Sequence, residues 1–158
     1  MENPIVHLTS EHSSLIVRCA PFAEILYWGN RLSQFSADDV ISLTRAVPNG
    51  RIDVEAPVNF SADSGRGSFG TPGVEGHRDG LDWSPVFDTT DVKQQGNQLI
   101  ITTEDAIAGL QFRSELRLGD SGVLQMRNAL TSLKPGTYQV TRLAVTLPLP
   151  ERAAEVMA

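Results

Sequence analysis

From Leu110 to Leu118 apolar and polar residues alternate, with Leu110, Phe112, Leu116 and Leu118 on one face and Gln111, Arg113, Glu115 and Arg117 on the other. Successive side chains of an extended chain point to opposite faces, so a period of two describes a half-buried antiparallel strand. Such a strand needs partners, and the flanking sequence supplies them. Residues 98–103 read as a strand after the turn Gln95-Gly96-Asn97, and Gly119-Asp120-Ser121-Gly122 reverses the chain again. Leu124, Met126 and Leu130 continue an inward face with Asn128 in the same register. Lys134-Pro135-Gly136 makes a further turn, and residues 138–147 form a last strand ended by Pro148 and Pro150.

The first third carries weaker versions of the same signal. Residues 15–20 and 24–28 are short runs rich in β-branched and aromatic residues, with Pro21 between them. The second run ends at Gly29-Asn30, a pair that tolerates positive φ, which predicts a tight hairpin turn with Arg31-Leu32 resuming the pattern. Residues 5–8 read as another strand, turning back through Ser10-Glu11-His12-Ser13. Residues 38–47 fit a capped helix or a strand, and the strand is the expectation taken here. Short strands at this spacing, joined by turns and without an amphipathic helix, predict an all-β antiparallel sandwich of one domain over residues 1–158.

Composition narrows the partners. A formal net charge of -6 with scattered Lys and Arg argues against nucleic acid or an anionic membrane, both of which require clustered positive charge. No stretch approaches the roughly 20 apolar residues of a membrane span, and a cytoplasmic protein is expected. Cys19 lies in an apolar run and reads as a buried small hydrophobe. His7 and His12 read as solvent-facing, and neither has a Cys, Asp or His neighbour at metal-ligand spacing. No metal and no cofactor is expected.

Chemistry concentrates in one place. Residues 48–85 hold seven of the thirteen glycines and four of the nine prolines, a density that interrupts helix and ladder alike. A structureless passage of that length in a compact domain is functional or disordered. Gly65-Arg66-Gly67-Ser68-Phe69-Gly70 has the glycines of a phosphate cradle but no following Lys, and reads as a turn. Residues 76–87, Gly-His-Arg-Asp-Gly-Leu-Asp-Trp-Ser-Pro-Val-Phe, gather His77, Arg78, Asp79, Asp82 and Trp83. Asp79 and Asp82 suit either a glycosidase pair or ordinary turn chemistry. Arg78 beside Trp83 suits a polyol, through paired hydrogen bonds and stacking, or else Arg78 pairs with an Asp while Trp83 plugs the sandwich edge. No nucleophile elbow, Cys–His pair or His-Glu-x-x-His helix is present, so no catalytic residue is assigned.

Several of these segments, in order, resemble a known family. Glu24-Ile-Leu-Tyr-Trp-Gly-Asn-Arg-Leu32 resembles the early hairpin of the amino-terminal domain of glycoside hydrolase family 36 α-galactosidases, and residues 76–87 are similar to the segment after the long loop in actinobacterial-type members. Residues 99–118, with Asp105 and Ala108-Gly109-Leu110, resemble the family's next strand pair. The resemblance implies a galactose-mutarotase-like β-supersandwich that precedes a (β/α)₈ barrel. The barrel carries two catalytic aspartates that hydrolyse melibiose, raffinose and stachyose with retention. It implies that this chain is an amino-terminal part without the barrel, inactive by itself, acting as scaffold, oligomerisation surface and site-shaping loop. Its implied partners are the barrel of the same enzyme, further copies in a homo-oligomer, and a galactoside. Arg66, His77, Arg78, Asp79 and Trp83 are the candidate residues for substrate or interface contact. The contrasting reading is an independent, lectin-like sugar-binding module using Trp83 and Trp28 as its platform.

Overall fold

A computed structural model describes residues 5–36, 39, 59–68 and 70–147. These form nine strands: β1 (Ile5–Thr9), β2 (Ser13–Arg18), β3 (Glu24–Asn30), β4 (Val74–His77), β5 (Asp88–Gln95), β6 (Gln98–Asp105), β7 (Leu110–Leu118), β8 (Leu124–Ser132) and β9 (Gln139–Leu143). They make three antiparallel sheets in the orders β1-β2-β3, β4-β9 and β5-β6-β7-β8. The all-β antiparallel expectation holds.

The alternating segment is β7, in the middle of the largest sheet. Leu110, Phe112, Leu116 and Leu118 are buried with Leu99 and Ile101 of β6, Val6 and Leu8 of β1, Leu15 and Val17 of β2, Val74 of β4, and Phe60 and Phe87 from the connections. Ser114 interrupts the apolar face and is buried opposite Asn128, whose side chain also donates to the Ala144 carbonyl at 2.9 Å. The inward Asn of β8 thereby ties the large sheet to the chain that follows β9. Burial falls off outward, since Leu124, Met126 and Leu130 of β8 only partly cover the core.

Four expectations need correction. Gly29 and Asn30 lie inside β3, paired with Ser14 and Ser13, and the β2–β3 reversal falls earlier, across residues 19–23. Beyond β3 the chain stays extended against the β1–β2 turn, where the Arg31 amide donates to the His12 carbonyl at 3.1 Å and the Leu32 amide to Ser14 Oγ at 2.9 Å. His7 is half-buried rather than solvent-facing, bonded through Nε2 to Ser14 Oγ at 3.0 Å and edge-on to Phe35 at 5.4 Å. The polar passage is also not one loop. Its end contains β4, which pairs with β9, and β5 follows it as an edge strand. The strand expected over residues 38–47 lies, apart from Asp39, outside the described residues, as do residues 48–58 and Phe69. The last strand is shorter than expected, closing at Leu143.

Cys19 is fully buried, and burial pushes its thiol up to about 12 from 9.0. Among the described residues no helix is long and apolar enough to cross a membrane.

Candidate functional site

β4 is laid against β9 by the smallest possible side chain. Gly76 pairs with Val140, and a Cβ there would collide with the Gln139 carbonyl and the Tyr138 ring, so only glycine permits this approach. Just past β4 the chain reverses in two residues. Arg78 N–H donates to the Leu81 carbonyl at 2.8 Å and Leu81 N–H to the Arg78 carbonyl at 2.9 Å. Between them Asp79 (φ 51) and Gly80 (φ 81) both sit in the left-handed region, which is the turn that Asp-Gly favours. His77 Nδ1 accepts the Gly80 N–H at 3.2 Å, so a neutral ring carries its proton on Nε2. Asp79 is a turn residue with its side chain in solvent.

Arg78 turns inward from this hairpin, with only 12% of its side chain exposed. Nη1 donates to the Asp82 carboxylate and, at 2.9 Å, to the Ala108 carbonyl; Nη2 donates to Ser132 Oγ at 2.9 Å. The guanidinium lies 5.7 Å from the centroid of Tyr138, whose hydroxyl donates to the Asp82 carbonyl at 3.2 Å. Burial, reinforced by the charges of Asp82 and Asp105 and opposed by Arg78, raises the Tyr138 pKa. The pairing of Arg78 with Asp82 leaves neither as a free ligand group. Trp83, in contrast, is 71% exposed, so it does not plug the sandwich edge.

Arg66 belongs to a second knot. A 3₁₀ turn at Ser64–Arg66 closes on Gly67 (φ 90), whose N–H donates to the Ser64 carbonyl at 3.0 Å. Arg66 Nε donates to Asp63 at 3.2 Å, and Nη2 to the Phe87 carbonyl at 2.8 Å and to the Asp88 carboxylate. The guanidinium also stands 4.6 Å over the Phe22 ring. Asp63 Oδ2 accepts the Phe87 N–H at 3.0 Å, so Phe87 is held through both backbone groups. Residues 64–67, at the start of the glycine-rich segment, thus form a turn with Arg66 engaged.

Asp105 lies between the knots. Oδ2 accepts the Val86 N–H at 2.8 Å, while Oδ1 accepts those of Ile107 at 2.8 Å and Ala108 at 2.9 Å. The structure thus brings His77, Arg78, Asp79 and Trp83 to one hairpin and puts Arg66 with a different partner set. Sequence reasoning missed that Asp63, Asp105 and Tyr138 hold the hairpin in place. The available signal was an Asp followed by small or turn residues, the pattern by which a carboxylate takes successive amides. Among the described residues no three His, Cys, Asp or Glu are grouped to hold a metal.

An all-β fold of antiparallel sheets with this strand order is shared with a known class of domain. Residues 22–158 match the family model for the glycosyl hydrolase family 36 N-terminal domain, and the chain belongs to that family. It is 51% identical over 151 residues to an α-galactosidase of Escherichia coli, an alignment covering 96% of this chain and 21% of that protein. Among solved structures it superposes on the family 36 α-galactosidase AgaA of Geobacillus stearothermophilus, crystallised as a variant with 1-deoxygalactonojirimycin, with a TM-score of 0.71 at 12% identity over 90% of this chain and 24% of that one. AgaB of the same organism gives 0.68 at 14% identity over 91% and 23%. Those two likenesses concern the fold. The chain spans about a fifth of the length of the E. coli relative.

Proposed function

We propose that this chain is the amino-terminal, non-catalytic part of an α-galactosidase. In this reading it supports a catalytic barrel elsewhere in the same polypeptide, which hydrolyses terminal α-galactosides such as melibiose and raffinose. The observation that carries the reading is the 51% identity to an α-galactosidase along nearly the whole chain. The site agrees with it. Arg66, Arg78, Asp63 and Asp105 are engaged in internal bonds. Residues 76–87 then serve as a shaping or interface segment, with Arg66, His77, Arg78, Asp79 and Trp83 on or beside a face between copies in a homo-oligomer. Exposed Val140, Leu143 and Val145 on and after β9 support a role as scaffold, since apolar surface of that kind is ordinarily covered in an assembly. A cytoplasmic location fits the single, fully buried thiol.

The test is a graft. Replacing the matching region of the E. coli α-galactosidase with this chain is expected to keep hydrolysis of a chromogenic α-galactoside, while the chain alone gives no turnover. A graft that folds and is inactive, or turnover by the chain alone, would refute the assignment.

The exposure of Trp83 supports a second reading, an independent sugar-binding module. Trp28 does not share such a platform as a free ring, because it packs against the core from β3. Saturable, galactose-specific quenching of Trp83 in the isolated chain would favour this reading over the first.

A further inference from the structure

We propose that Arg78 is the positioning residue of the hairpin at residues 76–87: it joins three separate connections into one unit that presents Trp83, and it is not itself a ligand contact. The proposal deepens, and rests on, the reading that this hairpin shapes a galactoside site, because it transfers the contact from the guanidinium to the indole.

The geometry is specific. The two terminal nitrogens of Arg78 reach three places: Nη1 bonds Asp82 in its own hairpin and the Ala108 carbonyl between β6 and β7, and Nη2 bonds Ser132 Oγ at the end of β8. The last two are also joined without it, by Leu133 N–H to the Gly109 carbonyl at 2.8 Å and by Lys134 Nζ to the Ile107 carbonyl. The hairpin is also tied to this end of the sandwich by the Tyr138 hydroxyl on the Asp82 carbonyl and by the Val86 N–H on Asp105. Gly136 (φ 91) passes close enough that a Cβ there would lie 3.5 Å from Arg78 Cδ, so the chain beyond β8 wraps the stem of the side chain. A guanidinium is suited to this, since its planar fork serves several acceptors at fixed angles where an ammonium serves as a point charge.

The same connections carry exposed apolar side chains outward: Leu81 at 69%, Ile107 at 84% and Leu133 at 52%, beside Trp83. Removing the Arg78 charge leaves Asp82 and two further acceptors without their donor, and bonds of this kind in one network do not fail independently.

Amide exchange of the 158-residue chain tests this without any sugar. In Arg78→Met, exchange at Leu81, Ala108 and Leu133 is expected to speed up together by at least about tenfold, as loss of charge-assisted bonds loosens one local unit. Amides of Ile101 and Leu116 should stay as slow as in the parent. Acceleration confined to Leu81, or none, would overturn the proposal. Should Arg78→Met fail to fold, Ser132→Ala removes a single arm and decides the matter: faster exchange at Leu81 as well as Leu133 supports coupling, and an effect at Leu133 alone refutes it. Arg78→Lys is expected not to restore protection at all three positions, and full restoration would show that a point charge suffices. In a Trp28→Phe background, the anisotropy of Trp83 should fall in Arg78→Met. The expected joint acceleration of exchange with no galactoside effect in the grafted enzyme would sink the site-shaping role and leave the clamp standing.

Discussion

The β6–β7 hairpin and the β4 hairpin are held by different forces. In the first, Leu99, Ile101, Leu110, Phe112, Leu116 and Leu118 face inward and are buried. In the second, β4 contributes Val74 to the core, and position is set by carboxylates and guanidinium groups gripping backbone: Asp63 and Asp105 on the amides of residues 86 and 87, Arg66 on the Phe87 carbonyl, Arg78 on that of Ala108. Hydrophobic burial is non-directional and scales with area, so it fixes which face points in. Hydrogen bonds to charged groups fix where one particular atom lies. A segment that must hold a defined surface shape with little apolar area to bury uses the second.

The sharpest way to break this comparison is to damage each region by its own mechanism. Phe112 is fully buried, with its ring 5.5 Å from that of Phe87, where the two regions meet. Phe112→Ala should cost about 3–5 kcal/mol from lost transfer energy and the cavity left behind. The midpoint of urea unfolding reads this directly, and a cost below about 1 kcal/mol would mean that the core does not depend on this contact.

Asp105→Ala comes next. It removes the acceptor of three backbone amides, at Val86, Ile107 and Ala108, two of them in the β6–β7 connection and one leading out of the β4 hairpin. At about 1 kcal/mol for each bond, the expected loss is about 2–4 kcal/mol. Asp105→Asn should recover only part of this, because its amide nitrogen presents a donor to one of the donors that the carboxylate accepts. If Asp105→Ala leaves the urea midpoint unchanged, polar gripping is not what holds the second region.

This difference also accounts for what the sequence made legible. β7 was readable to the residue, and the β5–β6 turn was too, because alternation and a Gly-Asn pair are local signals. β5 was invisible, since Asp88–Gln95 is an edge strand whose only partly buried apolar residue is Val92. β4 was invisible because its partner β9 lies more than sixty residues on, and nothing local in Val-Glu-Gly-His announces that pairing. Gly29-Asn30 misled because a pair that permits a turn does not require one, and strand pairing with β2 prevailed. At the site, clustering of His77, Arg78, Asp79 and Trp83 was legible, and turn chemistry at Asp79 was one of the two readings its sequence left open. Which acceptors Arg78 would reach was not, since Ala108 and Ser132 come from elements 30 and 54 residues away.

A smaller effect, outside both hairpins, depends on pH. Glu24, at the start of β3, is buried, which raises its pKa, while Arg18, 2.7 Å away, partly offsets the shift. A carboxylate raised in the folded state binds its proton more tightly there than in the unfolded chain, so folding is favoured while it is protonated. That contribution is lost as pH rises from the ordinary carboxylate value of 4.5 through the raised one. Glu24→Gln, neutral throughout, should flatten the decline, and urea midpoints of both proteins between about pH 4 and 7 measure it. A stability difference that does not change across this window would assign Glu24 wholly to its pairing with Arg18.

The smallest stability effect belongs to the most exposed aromatic ring. Trp83 is 71% exposed, so Trp83→Ala removes little buried area and should shift stability by no more than about 0.5 kcal/mol. Aromatic side chains are costly to leave in water without use, and this one sits on a turn fixed by a buried Arg and a Tyr hydroxyl rather than on a loose tip. The β6–β7 hairpin spends its rings on the core; the β4 hairpin holds its ring away from it. In the grafted enzyme, Trp83→Ala should therefore raise KM for melibiose or reduce oligomer size while leaving the urea midpoint in place. A large drop in stability instead would show that the indole packs against the domain after all, and that the two regions differ less than their burial implies.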